Sequence, residues 1–515
     1  MDSPVPHPKT PLEAPAAAED PAMGPAEDAP RSNDHTSTDH ADEEQGRQRH
    51  LRAALTSLRD EKDLAAFVTA EREALLERLA PLCRQDGPPA GRAWMNAYAD
   101  LIDAVLRRLY ALARERAGAA AGTGPASPVA VLATGGYGQR LLAPHSDLDI
   151  TFLADRADAD PPLLRELFRL VMDVLLIGAK LKVGYAYRTP DDVAAEAALN
   201  ATLDHQTQTA LLDARLIAGD AQLFNRFDRA FRAHLQTADF LFRKQAERQM
   251  RREKFGPTPL VGEPQIKEGA GGMRDWQTAS WMSRVRFARL SGGDTGYSGL
   301  WRELVRRKVI TEEERAALVR DRELLLFVRC LLHRTDRERR DHLTRPRQDR
   351  IVALLTEAPG EGAPPFSDPD SLMRAYYEAA TRVHQTAEKI VTRCLDAPLA
   401  LGEDSGLSAV RRTVALTDPA RAAADPVWPM KALNHCQTYG LSFALPTEEA
   451  VQRYSALSVT GEGDGDARTA AGRAFVELLG RPGDVGATLR QMQRTGLLAW
   501  LMPELHACMT VLPGD

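Results

Sequence analysis

Hydrophobic and polar positions recur along this chain in blocks of different period, and the blocks mark its elements. Met1 to about Arg47 holds almost no large apolar residue and is rich in Pro, Ala, Asp, Glu and His, so residues 1–48 are expected to form a disordered tail. From Arg49 to Arg116 the period becomes helical: Leu51, Leu55 and Leu58, then Leu75, Leu76, Leu79 and Leu82, then Leu101, Val105, Leu109 and Leu112 recur at three or four. Residues 49–122 therefore read as a lead-in of two or three helices, with a linker of small residues from Gly118 to Ser127. Val129 to Leu132 is a short apolar run of strand length that breaks on Gly135 and Gly136, and Gln139 to Leu142 can begin a short helix. A second strand runs from Ser146 through Ile150, Phe152 and Leu153. Pro161 to Ala179 reads as an apolar helix, Lys182 to Thr189 as a strand, and Leu211 to Ile217 and Ala230 to Arg251 as helices, the last with a basic, solvated face. Helices between strands predict a small mixed sheet over residues 123–255.

Pro257 to Gly272 is a helix-free stretch with four glycines and three prolines, and it feeds a helix over Met273 to Leu290. Residues 256–400 then read as a Gly-rich loop and a helical domain, interrupted by the surface loop Pro359 to Asp370. After a looser stretch to Asp425, helices resume from Trp428 to Leu505 within a segment, 401–515, that is again mostly helical. The fold class is α+β, a small mixed sheet followed by a largely helical part.

Composition excludes more than it suggests. A formal net charge of −6 and a pI near 6.1 give no overall basic field, so no nucleic-acid partner is expected. No apolar run is long enough to span a bilayer and no signal-like N-terminus is seen, so no membrane partner and a cytoplasmic location are expected. The five cysteines lie far apart with no CxxC, which indicates neither a disulfide framework nor a zinc site.

The chemistry concentrates between Val129 and Leu153, VAVLATGGYGQRLLAPHSDLDITFL. Asp147 and Asp149 stand at spacing two, which on a strand puts both carboxylates on one face and turns Leu148 and Ile150 to the other. Two adjacent carboxylates are costly unless a cation shares them. Magnesium prefers oxygen ligands and keeps substrate phosphates in its shell. Gly136 and Gly138 let the backbone take φ > 0 or lie against a ligand, and a short helix begun at Gln139 to Leu142 offers free N–H groups suited to phosphate. Such a run has the layout of a nucleotidyl-transfer site, whereas a lone DxD would be a hairpin with a solvated turn.

TGGYGQRLLAPHSDLDITFL resembles the catalytic segment of the protein-PII uridylyltransferase family, within the DNA polymerase β-like nucleotidyltransferases. EPQIKEGAGGMRDWQTASW at 263–281 is similar to a second signature of that family, and weaker similarity continues through KVGYAYRT, LLDARLIAGD, FVRCLLHR and FVELLGRPGDVGATLRQMQRTGLLAWLMPEL. The resemblance covers roughly residues 50 to 510. It implies a nucleotidyltransferase domain over 123–255, Mg2+ on Asp147 and Asp149, UTP as donor, and a tyrosine of the PII signalling protein as acceptor. Gly135, Gly136 and Ser146 would seat phosphates. Lys267 and Arg274 admit two readings: they reach the nucleotide, or the loop is a clasp in which Arg274 and Asp275 tie it to the following helix. Arg188 likewise either meets phosphate or forms a structural ion pair.

One position departs from the family pattern. Alignment on KVG places Gly178 where members carry an aspartate, and the nearest acids are Asp173 and, further on, Asp213. Asp173 is taken as the third catalytic carboxylate, with Asp213 open, and the departure predicts weak or absent transfer by this chain. A regulatory module that binds nucleotide or partner without transfer is the alternative function. Family members continue into an HD-type phosphohydrolase domain and two ACT domains, but this sequence stops at Asp515, where the HD domain is expected to begin, so it reads as truncated.

Overall fold

The structure, a computed structural model, describes residues 35–81, 91–120, 128–156, 162–287, 297–359, 363–396, 398–402, 405–457 and 465–505. Residues 1–49 and 50–515 separate as two units. The expected tail lies largely outside the described residues, but from His35 it is helical rather than irregular, because no proline interrupts α1 (His35–Thr56).

In the second unit, α2 (Glu61–Arg78) starts at Asp60, whose carboxylate accepts from the Lys62 and Asp63 amides and so satisfies two of the orphan donors of the first turn. α3 (Gly91–Ala120) follows, then β1 (Val129–Ala133), the one-turn α4 (Gly135–Gly138) and β2 (Leu148–Ala154). α5 (Pro162–Val171) widens into a π-helical segment over Met172–Gly178 before β3 (Val183–Arg188). α6 (Glu196–Thr202), α7 (His205–Leu211), β4 (Arg215–Gly219), α8 (Ala221–His234) and α9 (Thr237–Phe255) complete this part.

The sheet order is β3-β2-β1-β4, with β2 and β3 parallel and the other pairs antiparallel, which is the expected small mixed sheet. Every residue of β1 is buried, so the central strand reads as a continuous apolar run rather than an alternating one. The helix expected over Leu211 to Ile217 is instead the end of α7, a turn and β4: β1 has a free edge, and pairing Arg215–Gly219 along it satisfies backbone groups that would otherwise be buried unpaired. Asp149 lies opposite Gly184 in the β2–β3 register.

α10 (Met273–Phe287), α11 (Tyr297–Arg306), α12 (Glu312–Asp336), α13 (Arg345–Glu357) and α14 (Pro369–Asp396) form the helical part. α12 is its axis: Leu325, Leu326, Val328, Leu331 and Leu332 are buried, and its start is fixed by a capping box between Thr311 and Glu314. Beyond it, β5 (Leu399–Ala400), β6 (Leu407–Val410), β7 (Thr413–Leu416) and β8 (Ser442–Phe443) make a second small mixed sheet in sequence order. The remaining helices are α15 (Pro419–Ala423), α16 (Trp428–Tyr439), α17 (Leu445–Leu457), α18 (Gly465–Leu479), α19 (Val485–Arg494) and α20 (Leu497–Leu501). Among the described residues no helix is long and apolar enough to cross a membrane.

Candidate active site

α4 and β2 bring the glycine turn against the paired aspartates. Thr134 donates from its amide to the Asp149 carbonyl at 3.0 Å, so the turn starts on the strand that carries the carboxylate. The helical turn forms at Gly135–Gly138 rather than over Gln139–Leu142, and Tyr137 anchors it by donating to Asp103 Oδ1 at 2.7 Å inside the core. Asp103 also receives Arg215 of β4 at 2.5 and 3.0 Å, so turn, lead-in helix and edge strand share one buried ion pair. Bare backbone flanks both oxygens of Asp149. A Cβ at Gly184 would stand 2.9 Å from Oδ1, and one at Gly135, whose φ is +53°, would stand 3.0 Å from Oδ2.

β2 begins at Leu148, whose amide donates to the Lys182 carbonyl, so Asp147 precedes the strand instead of lying in it. Its carboxylate pairs with Arg339, which follows α12. Burial raises the proton affinity of Asp149, and the charge of Asp147 raises it further, while Arg339, Lys267 and Arg274 oppose the shift. The two carboxylates therefore repel each other across the site, and three cations answer them.

Asp149 opens on a cavity of about 600 Å³ shared with Gly135, Gly136, Arg188 and Arg274. The opposite wall comes from α9 and α10. Lys244 and Arg251 line it, buried and paired with Glu247 at 2.6 and 2.8 Å, and Trp281 carries Lys244 and Arg274 over its ring at 4.9 and 5.4 Å. The basic residues of α9 expected on a solvated face are thus partly interior: Lys244, Arg248 and Arg251 are all buried, because Glu247, Asp275 and Glu388 pair with them. Among the described residues Arg188 Nε is buried with no hydrogen-bond partner.

The Gly-rich loop combines the two sequence readings. Asp275 is a clasp, accepting from Arg252 of α9 at 2.9 Å, from the Gly271 amide at 2.8 Å and from His384 of α14 at 3.2 Å. Arg274 faces the cavity, held by Gln277 at 3.1 Å and by Glu268 at 3.4 Å. Burial, with Arg274 and Arg329 nearby, pushes the Lys267 ammonium down to about 8. Ser146 lies elsewhere: its hydroxyl accepts from the Ala143 amide at 3.0 Å and lines a second, smaller cavity. His145 beside it is pushed down to about 4 by burial, then by Arg72 and His333, and is neutral at pH 7.

Among the described residues no third acid, His or Cys joins Asp147 and Asp149 in a metal-holding group. Asp173 pairs with Arg169 at 2.7 Å in an ion cluster with Glu61, Glu166 and Arg116, and does not line the cavity. Asp213 is buried with both oxygens engaged, Oδ1 by Arg284 at 2.7 Å and Oδ2 by Gln139 at 2.5 Å and Trp281 at 2.7 Å. Gly178 packs on α2, where an added Cβ would meet Ala65 Cβ at 2.5 Å, so the position has no room for a carboxylate unless α2 moves. Arg339, Lys244, Glu247 and Arg251 were not selected from the sequence. The stripe at 244, 247 and 251 recurs at three and four, but interior and solvated charged stripes share that spacing.

Two carboxylates, a bare-backbone turn and a wall of arginines and lysines have the layout of a site that handles phosphate esters. Comparison with known proteins points the same way. The GlnD PII-uridylyltransferase family model matches residues 239–391, the stretch that supplies Lys244, Arg251 and Arg274 to the cavity and also holds Lys267, which pairs with Glu268 at 3.7 Å and is not part of the cavity lining. The chain is similar to the bifunctional uridylyltransferase/uridylyl-removing enzymes of Nitrosospira multiformis, 34% identical over 57% of this chain and 31% of that protein, and Ralstonia nicotianae, 34% identical over 50% and 28%. For that of Cupriavidus metallidurans the identity is 36% over 50% and 28%. The resemblance read from the two signatures is borne out, and the chain's match spans about three tenths of the length of these relatives.

Proposed function

We propose that the chain binds UTP in the 600 Å³ cavity and transfers its UMP group to a tyrosine hydroxyl of the PII signalling protein. The observation that carries the reading is the placement of Asp149, beside Asp147, between bare backbone and the cations Arg188, Lys244, Arg251 and Arg274. An all-oxygen donor pair whose charges repel suits a hard divalent cation, so Asp147 and Asp149 would hold Mg2+. When bound, it would neutralise triphosphate charge and acidify the acceptor phenol, whose ordinary pKa is about 10.

The chain's own residues do the rest. Arg274 and Arg188 meet the phosphates, and Gly135 and Gly136 let them approach the backbone. The phenol oxygen forms a bond to the α-phosphorus as the bridging bond to the β-phosphate breaks and pyrophosphate leaves. The phenol proton passes to water, since both carboxylates would be engaged by the cation. Asp147 has to exchange Arg339 for the cation.

A second reading, nucleotide binding without transfer, is favoured by the lack of a third acid among the described residues and by the Asp147–Arg339 pair. Incubating the purified chain with PII, magnesium and each of the four α-labelled ribonucleoside triphosphates separates the two. Label on PII from UTP is expected; saturable UTP binding with no labelled PII would select the second reading.

A further inference from the structure

The cavity that holds Ser146 measures about 290 Å³, at the small end of the roughly 300–1,000 Å³ range of small-molecule sites. Five cations line it, Arg72, Lys180, Lys182, Arg337 and Arg339, against one carboxylate, Glu338. They arrive from three separate places: α2, the connection into β3, and the chain just after α12. Even that carboxylate is already answered, since Glu338 pairs with Arg340 at 2.9 Å.

The side chains of Lys180, Lys182 and Arg337 make no hydrogen bond or ion pair among the described residues. Lys180 and Arg337 adopt φ of +53° and +52°, a left-handed backbone where glycine or asparagine would sit more easily. Arg72 is fixed in place by donating to the Pro144 carbonyl at 3.0 and 3.3 Å. Lys180, Lys182, Arg337 and Arg339 are exposed, so water screens part of their mutual repulsion, and a multiply charged anion relieves what is left at several of them at once. Three forked guanidiniums and two ammonium groups around one small space match the tetrahedral oxygens of a phosphate better than a single planar carboxylate.

We infer that this cavity is a subsite for a phosphate-class oxyanion, and that its occupant competes with Asp147 for Arg339. The occupant is either a free oxyanion, inorganic phosphate or pyrophosphate, or the phosphate tail of a nucleotide. The competition follows from Arg339 lining the cavity while pairing with Asp147. Because coupling is reciprocal, whatever occupies Asp147 also changes how tightly the oxyanion is held.

The test is calorimetric titration of phosphate and of pyrophosphate into the full chain without metal. Pyrophosphate is expected to bind, and more weakly as salt rises. Lys182→Gln and Arg337→Asn, the latter tolerant of the left-handed backbone, should each weaken it about tenfold while the melting temperature stays unchanged. Asp147→Asn should tighten it, the opposite sign, by freeing Arg339. Displacement of pyrophosphate by a nucleoside triphosphate would identify a nucleotide tail as the occupant, and independent binding of the two a free oxyanion. No binding of either anion, or binding indifferent to loss of both Lys182 and Arg337 charges, would overturn the site. An affinity unchanged in Asp147→Asn would overturn the competition.

Discussion

Asp149 is held in the folded chain with a higher proton affinity than the same residue has in the unfolded chain, first by burial and then by Asp147. Its contribution to stability is therefore fully present where it is protonated in both states, and is lost as pH rises through its folded pKa. At neutral pH the ionised carboxylate costs stability. Asp149→Asn is expected to raise the melting temperature of the metal-free chain at about pH 7, with the gain gone at acid pH, where the native carboxyl is protonated in both states. A lowered or unmoved melting temperature at neutral pH would show that the surrounding cations, not burial, set the balance. Gly184→Ala acts on the same group from outside: its Cβ must displace Asp149 Oδ1, so turnover should fall about tenfold or more with little change in melting temperature. Asp147, Asp149, Gly135 and Gly136 were legible because they share one run of sequence. Arg339 was not, since it lies 192 residues from Asp147 and no local pattern records that pairing.

At the scale of elements, the Gly-rich loop is held by the segment after α12. Asp341 accepts from Arg329 at 2.7 Å and His333 at 3.2 Å, its carbonyl receives the Ile266 amide at 2.8 Å, and Leu343 donates to Pro264 at 2.9 Å. These bonds fix the residues just before Lys267. Asp341→Ala strands the buried Arg329 and should cost about 3–5 kcal/mol in urea unfolding; a loss under about 1 kcal/mol would mean that the loop is held by its backbone bonds alone. Gly178→Asp should not restore a third carboxylate, because the new side chain meets Ala65 first, and the expected readout is a lower melting temperature with no gain in transfer. The period of apolar residues revealed α2, α3, α12 and the mixed sheet. It failed at β4, where a short apolar run fits either period and the free edge of β1 decides, and at α9, where partners distant in sequence turn a charged stripe inward.

Across the whole molecule, burial pushes His145, His205, His333 and His435 down to about 4 from an ordinary 6.5. The unfolded chain binds protons at these positions that the folded chain refuses, so the stability they contribute is present above about 6.5 and is lost as pH falls toward about 4. The urea midpoint should therefore decline steadily through that window, before the carboxylates titrate; a flat midpoint down to about pH 5 would mean that the four rings stay hydrated. The α+β organisation was readable from periodicity alone, while the assembly of the cavity from β2, β3, α7, α9 and α10 was not, since it depends on contacts between residues far apart in sequence. The central claim is that Asp147 and Asp149 carry nucleotidyl transfer, and the most direct test is label incorporated into PII from α-labelled UTP and magnesium, compared between the native chain and Asp149→Asn. The account predicts labelled PII with the native chain, slow for want of a third acid, and a loss of at least about a hundredfold in the variant; equal labelling by both chains would contradict it.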